Sequence, residues 1–143
     1  MAEAPKELSG RCLCGSVRYH VAGEPVMQMV CHCADCQRQT GTAFSVIVGV
    51  PRAALSLEGE TLASFTTTGE DHGTPTERHF CSACGSPIVS IVGAVPDFAF
   101  LKAGTLDDAS WLAPGVEIWT RSAQPWSPHF EGATQIERSP RAG

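Results

Sequence analysis

Seven cysteines fall in three tight groups along the chain, Cys12 and Cys14, then Cys31, Cys33 and Cys36, then Cys81 and Cys84, and any fold must gather these thiols at a few points. Zinc sites are built from such groups. A tight turn aims two sulfurs at one point, and a second turn from a distant part of the chain completes a tetrahedron. Seven thiols cannot all pair as disulfides. The start MAEAPKELSG lacks the basic start and apolar run of a secretory leader, so the expected setting is soluble and cytoplasmic. There, reduced cysteines point to metal binding or catalysis. Four plus three matches the division between closed structural zinc sites and catalytic sites that keep one position open.

Cys12 and Cys14 in GRCLCG, with Cys81 and Cys84 in FCSACG, are two knuckles far apart in sequence. A shared zinc would clamp the N-terminal strand onto the middle of the sheet, which in small zinc domains contributes on the order of 10 kcal/mol to folding. Cys31, Cys33 and Cys36 supply three thiolates within six residues and no obvious fourth donor. A thiolate-rich zinc accepts a further sulfur and lowers its pKa, so that it reacts as thiolate at neutral pH. Spacing alone leaves open a purely structural set completed by His32, His79 or another cysteine.

With 143 residues the chain is expected to form one domain over 1–143, its core spanning about 10–130 and 132–143 forming a loose tail. Fourteen glycines and ten prolines break it into short pieces and favour strands joined by turns. After a polar lead of about ten residues, Val17, Tyr19 and Val21 alternate with polar neighbours as in a half-buried strand. Further strands are predicted at 26–30, 44–50, 53–58, 62–67, 76–80, 88–92, 98–103 and 116–121, with a hairpin at Gly59 and Glu60. A loop is expected over 69–75 and a short irregular or helical segment over 107–111. The cysteine cluster at 31–36 is placed between strands, and the fold class is mainly β with at most one or two short helical turns.

The formal net charge is -5 with only ten scattered Lys and Arg, which excludes a general nucleic-acid binder. No apolar run approaches the eighteen or so residues of a membrane span.

Together and in this order, GRCLCGSVRY, CHCADCQRQTGTAF, FCSACGSPI and GTLDD resemble the signature of the glutathione-dependent formaldehyde-activating family, which includes centromere-protein-V-like members. The resemblance spans about residues 10–130 and places all seven cysteines on motif positions. It implies an Mss4-like fold, small antiparallel β-sheets joined by zinc knuckles. It also implies that Cys12, Cys14, Cys81 and Cys84 hold a structural zinc, and that Cys31, Cys33 and Cys36 hold a second, exchangeable zinc at the active site. The implied activity is that of a carbon–sulfur lyase, joining glutathione or a similar small thiol to formaldehyde or another small carbonyl, or the reverse. Arg38, Arg78, Lys102 and Arg121 are the candidates for contacts to substrate carboxylates.

Among other residues, His32 is expected to face solvent, Phe44, Trp119 and Trp126 to lie in the core, and Asp107 and Asp108 to make a turn. Thr40, Gly41 and Thr42 serve equally as substrate contacts or as a turn, and His72 and His79 as ordinary loop and strand residues. The competing functions are a binding or scaffold protein of the same fold, a zinc-bearing methionine sulfoxide reductase and a nucleic-acid-binding zinc ribbon. The intact three-cysteine group disfavours the first, the Cys-x-Cys start the second and the acidic composition the third.

Overall fold

The computed structural model describes residues 3–68 and 74–139. Along the chain run β1 (Leu8–Arg11), β2 (Arg18–Val21), β3 (Met27–Cys31), α1 (Ala34–Thr40), β4 (Ser45–Pro51), β5 (Leu55–Glu58), β6 (Leu62–Thr68), β7 (Pro75–Cys81), β8 (Pro87–Val92), β9 (Phe98–Lys102), β10 (Val116–Ile118) and β11 (Thr134–Gln135). The chain is mainly β, as its short alternating runs require. Strands β1, β2 and β5 form one antiparallel sheet. The other eight form a second sheet in the order β11-β10-β3-β4-β9-β8-β7-β6. Its pairings are antiparallel except at one edge, where β10 runs parallel to both β3 and β11.

One core joins the two sheets. Tyr19 and Val21 come from the first, with Val17 just before β2, and Val48, Val50, Ile88, Val89 and Leu101 from the second. Each such aliphatic side chain, fully buried, contributes about 1.5–3 kcal/mol. No helix among the described residues is long and apolar enough to cross a membrane.

Five sequence expectations need correction. The polar lead contains β1, whose Leu8 is buried while its neighbours are exposed. The hairpin at Gly59 and Glu60 does not form, because β5 ends the first sheet and β6 begins an edge of the second. Gly59 has φ 143°, and a Cβ there would meet the Ser16 carbonyl oxygen at 2.4 Å, so its glycine serves a crossing between sheets. Residues 34–40, read as part of a connection between strands, form α1. Cys33 caps it by accepting the Cys36 backbone N–H at 3.3 Å, and Gly41, at φ 73°, ends it. Strand β10 stops at Ile118 and a 3-10 turn covers Thr120–Ser122. The stretch from 132 to 139 is not loose, since Thr134 pairs with Val116 and the carbonyls of Ile136, Glu137 and Arg138 accept N–H groups of Thr120, Arg121 and Trp119. His72 and most of the loop expected at 69–75 lie outside the described residues.

Candidate metal centres

Two knuckles face each other across the junction of the sheets. Cys12 and Cys14 sit in the turn between β1 and β2, and Cys81 and Cys84 in the turn between β7 and β8. Gly15 and Gly85, both at φ 82°, let each turn close behind its second cysteine. The four sulfurs lie within 4.8 Å of one another. Cys14 Sγ is 3.6 Å from Cys12 Sγ and 3.8 Å from Cys81 Sγ. Zinc–sulfur bonds near 2.3 Å imply a tetrahedral edge of about 3.8 Å, which these two spacings match. The surroundings favour the thiolate at Cys81 and Cys84, whereas at Cys14 the bonds from Ser16 lower the thiol but Cys12, burial and Cys84 prevail and raise it. Hydroxyls of Ser16 and Thr61 and backbone N–H groups bring Cys81 down to about 5, and Ser86 brings Cys84 down to about 7.

The second group gathers where β3 runs into α1. Cys31 ends the strand, Cys33 caps the helix and Cys36 lies in its first turn, with Cys31 and Cys36 buried and Cys33 partly exposed. Their sulfurs also lie within 4.8 Å, and among the described residues no further Cys, His, Asp or Glu joins them. His79, offered as a fourth ligand, instead stands 3.4 Å from Glu77.

Two cations back this group. Arg78, from β7, has a side chain 12% exposed and points Nη1 at Cys36 Sγ, 3.9 Å away, and at Gln39 Oε1, 2.9 Å away. Lys102, from β9, is 6% exposed and donates to Ser45 Oγ at 2.8 Å, Ser45 being the residue paired with Cys31 across β3 and β4. Hydrogen bonds from Cys31 and Cys33 hold the Cys36 thiol well below its ordinary value, and Lys102 and Arg78 add to this against the cost of burial. Cys31 moves well above its ordinary value, chiefly through its bonds to Cys33 and Cys36. Cys31 lowers Cys33, but Cys36 and burial prevail and push it up to about 11.

Behind the group lies a polar cluster that the sequence did not reveal. His32, expected to face solvent, is 0% exposed, and its Nε2 is 2.7 Å from Oε1 of the equally buried Glu117. His129 Nδ1 is 2.8 Å from the same oxygen, and the Phe130 backbone N–H donates to Glu117 Oε2 at 2.8 Å. Burial raises the Glu117 carboxyl, but the bonds from His32, Phe130 and His129 outweigh it and hold it below its ordinary value. The ligand atoms of His32, Glu117 and His129 lie within 4.8 Å of one another, but the two imidazole contacts to Glu117 are shorter than a zinc site's edge. Zinc–nitrogen and zinc–oxygen bonds near 2.05 Å imply a tetrahedral edge of about 3.3 Å, whereas these contacts have hydrogen-bond lengths. The ring of Phe44 packs edge-on to His32 with centroids 5.4 Å apart. His32 is therefore pinned through Nε2, and it does not join the cysteine group.

A cavity of about 380 Å³ opens beside α1, lined by Asp35, Arg38, Gln39, Phe65, Arg78 and Phe80 among others. Of the four cations considered for substrate carboxylates, Arg38 is exposed at its rim, Arg78 and Lys102 are turned to the cysteines, and Arg121 lies in the 3-10 turn after β10. Thr40 and Gly41 terminate α1, the Thr40 hydroxyl donating to the Cys36 carbonyl at 2.8 Å. Asp108 makes the expected turn by accepting the Ser110 N–H and hydroxyl. Trp119 is partly buried against Arg138, but Trp126, expected in the core, is 68% exposed.

The profile of the family described as glutathione-dependent formaldehyde-activating enzyme matches residues 7–122. Two curated proteins provisionally named for the same enzyme are similar to this chain. One, from Fusarium vanettenii, is 31% identical over 77 residues, covering 52% of this chain and 40% of its own length. The other, from Halomonas elongata, is 32% identical over 84 residues, covering 57% and 54%. The chain thus spans about half the length of the curated relatives it matches. A crystal structure of a Rhodobacter sphaeroides protein resembles the fold with a TM-score of 0.57 at 17% identity, over 90% of this chain and 98% of that one.

Proposed function

The chain belongs to the family of glutathione-dependent formaldehyde-activating enzymes, and from that premise we propose that it is a zinc-dependent carbon–sulfur lyase acting on a small thiol and formaldehyde or another small carbonyl. In the forward direction a thiol S–H adds across the C=O bond, forming a carbon–sulfur bond and a hydroxyl; the reverse releases both partners. Cys12, Cys14, Cys81 and Cys84 would hold a structural zinc, and Cys31, Cys33 and Cys36 a second, exchangeable one. When bound at the second site, zinc supplies Lewis acidity and keeps a coordinated thiol ionised at neutral pH.

The observation that carries this reading is the open three-cysteine group, with Cys33 on its accessible side and no fourth protein ligand beside it among the described residues. A scaffold protein needs no such vacancy. The remaining residues prepare the group. Gln37 Nε2 donates to the His32 carbonyl at 2.7 Å and to the Ser122 carbonyl at 3.0 Å, tying α1 to the turn after β10. Glu117 fixes the His32 ring between the two cysteines that flank it, so the ligand loop keeps one shape. The cavity beside α1, lined by Arg38, Phe65 and the Arg78 that reaches Cys36 Sγ, would offer room for the body of a thiol substrate. Holding both reactants there would supply the proximity that accelerates a two-substrate addition.

The test is exchange NMR on mixtures of formaldehyde with glutathione, cysteine or 2-mercaptoethanol. Faster exchange between free and hydroxymethylated thiol with the zinc-loaded protein, lost in Cys33→Ser, is the expected result. No acceleration with any of the three thiols would favour a zinc-stabilised scaffold instead.

A further inference from the structure

Lys102 and Arg78 are two positive side chains, both largely withdrawn from water, placed against one face of the three-cysteine group. Burying an ammonium is costly unless negative charge stands nearby. Lys102 has a neutral partner, the Ser45 hydroxyl; burial lowers its pKa, with Arg78 adding to this, and the charges that oppose the lowering come from Cys36, Cys31 and Cys33. Arg78 is held on three sides, by Thr67, Gln39 and Cys36, which fixes its guanidinium against the sulfur. Asp35 approaches Arg78 at 4.0 Å, but its carboxylate is about half exposed and screened by solvent. Arg78 also borders the cavity beside α1, but these contacts and the burial of Lys102 hold both cations at the cysteine group. They belong to the metal group.

The charge count gives this placement a meaning. Three thiolates and a divalent zinc carry one net negative charge, and the two cations turn the enclosed site to one net positive charge. An anionic fourth ligand brings it to neutrality, whereas a neutral ligand leaves the excess in a poorly hydrated place. Building on the proposed zinc at this group, we infer that Lys102 and Arg78 are specificity-determining residues that make the open position select an anionic ligand, a thiolate, over a neutral one such as water or imidazole.

A buried unit charge roughly 8–12 Å from the ligand, at an effective dielectric near 20, biases that choice by about 10- to 30-fold. The cations act by charge and by holding the sulfurs in place, without touching the carbonyl partner.

The experiment uses the full chain loaded with cobalt(II), whose visible bands report the ligands around it. Cobalt is counted per chain, and 2-mercaptoethanol and imidazole are then titrated against the spectrum. A closed four-cysteine site does not respond to added ligand, so any response reports the open one. For the unsubstituted chain, two metals and tighter binding of the thiol are expected. Lys102→Met should weaken the thiol by about 10- to 30-fold and leave imidazole unchanged or tighter, Lys102→Arg should restore the preference, and Arg78→Gln should behave as Lys102→Met does. Equal weakening of both ligands in Lys102→Met and Arg78→Gln would show a merely structural role and overturn the inference, as would unchanged thiol binding. A count of one unresponsive metal in the unsubstituted chain would overturn the proposed function along with it.

Discussion

Replacing Glu117 with glutamine keeps the shape of a fully buried side chain and removes one acceptor oxygen and its charge. The carboxylate accepts three bonds, from His32 Nε2 at 2.7 Å and His129 Nδ1 at 2.8 Å on one oxygen and from the Phe130 N–H at 2.8 Å on the other. The amide oxygen of Glu117→Gln can still receive both imidazoles, but its NH₂ then faces the Phe130 N–H, donor against donor. The reverse orientation loses both imidazoles. One bond is lost outright and two fall from charge-assisted, at about 1.5–3 kcal/mol each, towards the neutral value near 1 kcal/mol. The expected destabilisation is about 2.5–7 kcal/mol, a fall in Tm of roughly 8–25 °C for a chain of this size.

The assay is thermal and urea unfolding at fixed excess zinc, because metal binding itself shifts apparent stability. The pH dependence provides an internal check. The folded-state pKa of Glu117 is depressed below its ordinary value of 4.5, so its contribution is present above that value and is lost as pH falls through the folded pKa. The gap between the unsubstituted chain and Glu117→Gln should therefore stay constant from pH 7 down to about 5 and close below it. A change under about 0.5 kcal/mol at pH 7 would refute the hydrogen-bond reasoning, since that is the level of an ordinary surface substitution.

Cys81→Ser should abolish folding or cut stability by several kcal/mol even with zinc present, because it opens the only described clamp of four sulfurs between the two sheets; circular dichroism with metal counting reads this directly. Gly59→Ala should cost about 1–3 kcal/mol, or more, from its φ of 143° and from the Ser16 carbonyl at 2.4 Å, measured as a shift in urea midpoint without a change in slope. Trp126→Ser should change stability by less than about 0.5 kcal/mol, because the ring is 68% exposed.

The strands and cysteine groups were legible in the sequence because each follows from a local rule: alternation along a strand, and ligand spacing within a turn. Helix α1 was hidden in a polar stretch, and the signal that would have found it is Cys33 acting as an N-cap three residues before Cys36 and eight before Gly41. His32 broke the alternation rule because it sits one residue past the end of β3, where the chain turns into α1 and the His32 N–H bonds the Ile118 carbonyl at 3.0 Å. Its partner Glu117 lies 85 residues away, and a single glutamate in a strand reads as a solvated face. Likewise Gly59 and Glu60 have the residue types of a hairpin turn, but which sheet each flanking strand joins depends on long-range pairing.

The central claim is that one chain holds a closed and an open zinc site, and elemental analysis of zinc per chain, after purification with and without added zinc, tests it most directly. The account predicts close to two zincs with added metal, falling to one in Cys33→Ser with the fold intact. A single tightly held zinc, unchanged by added metal or by that substitution, would contradict it.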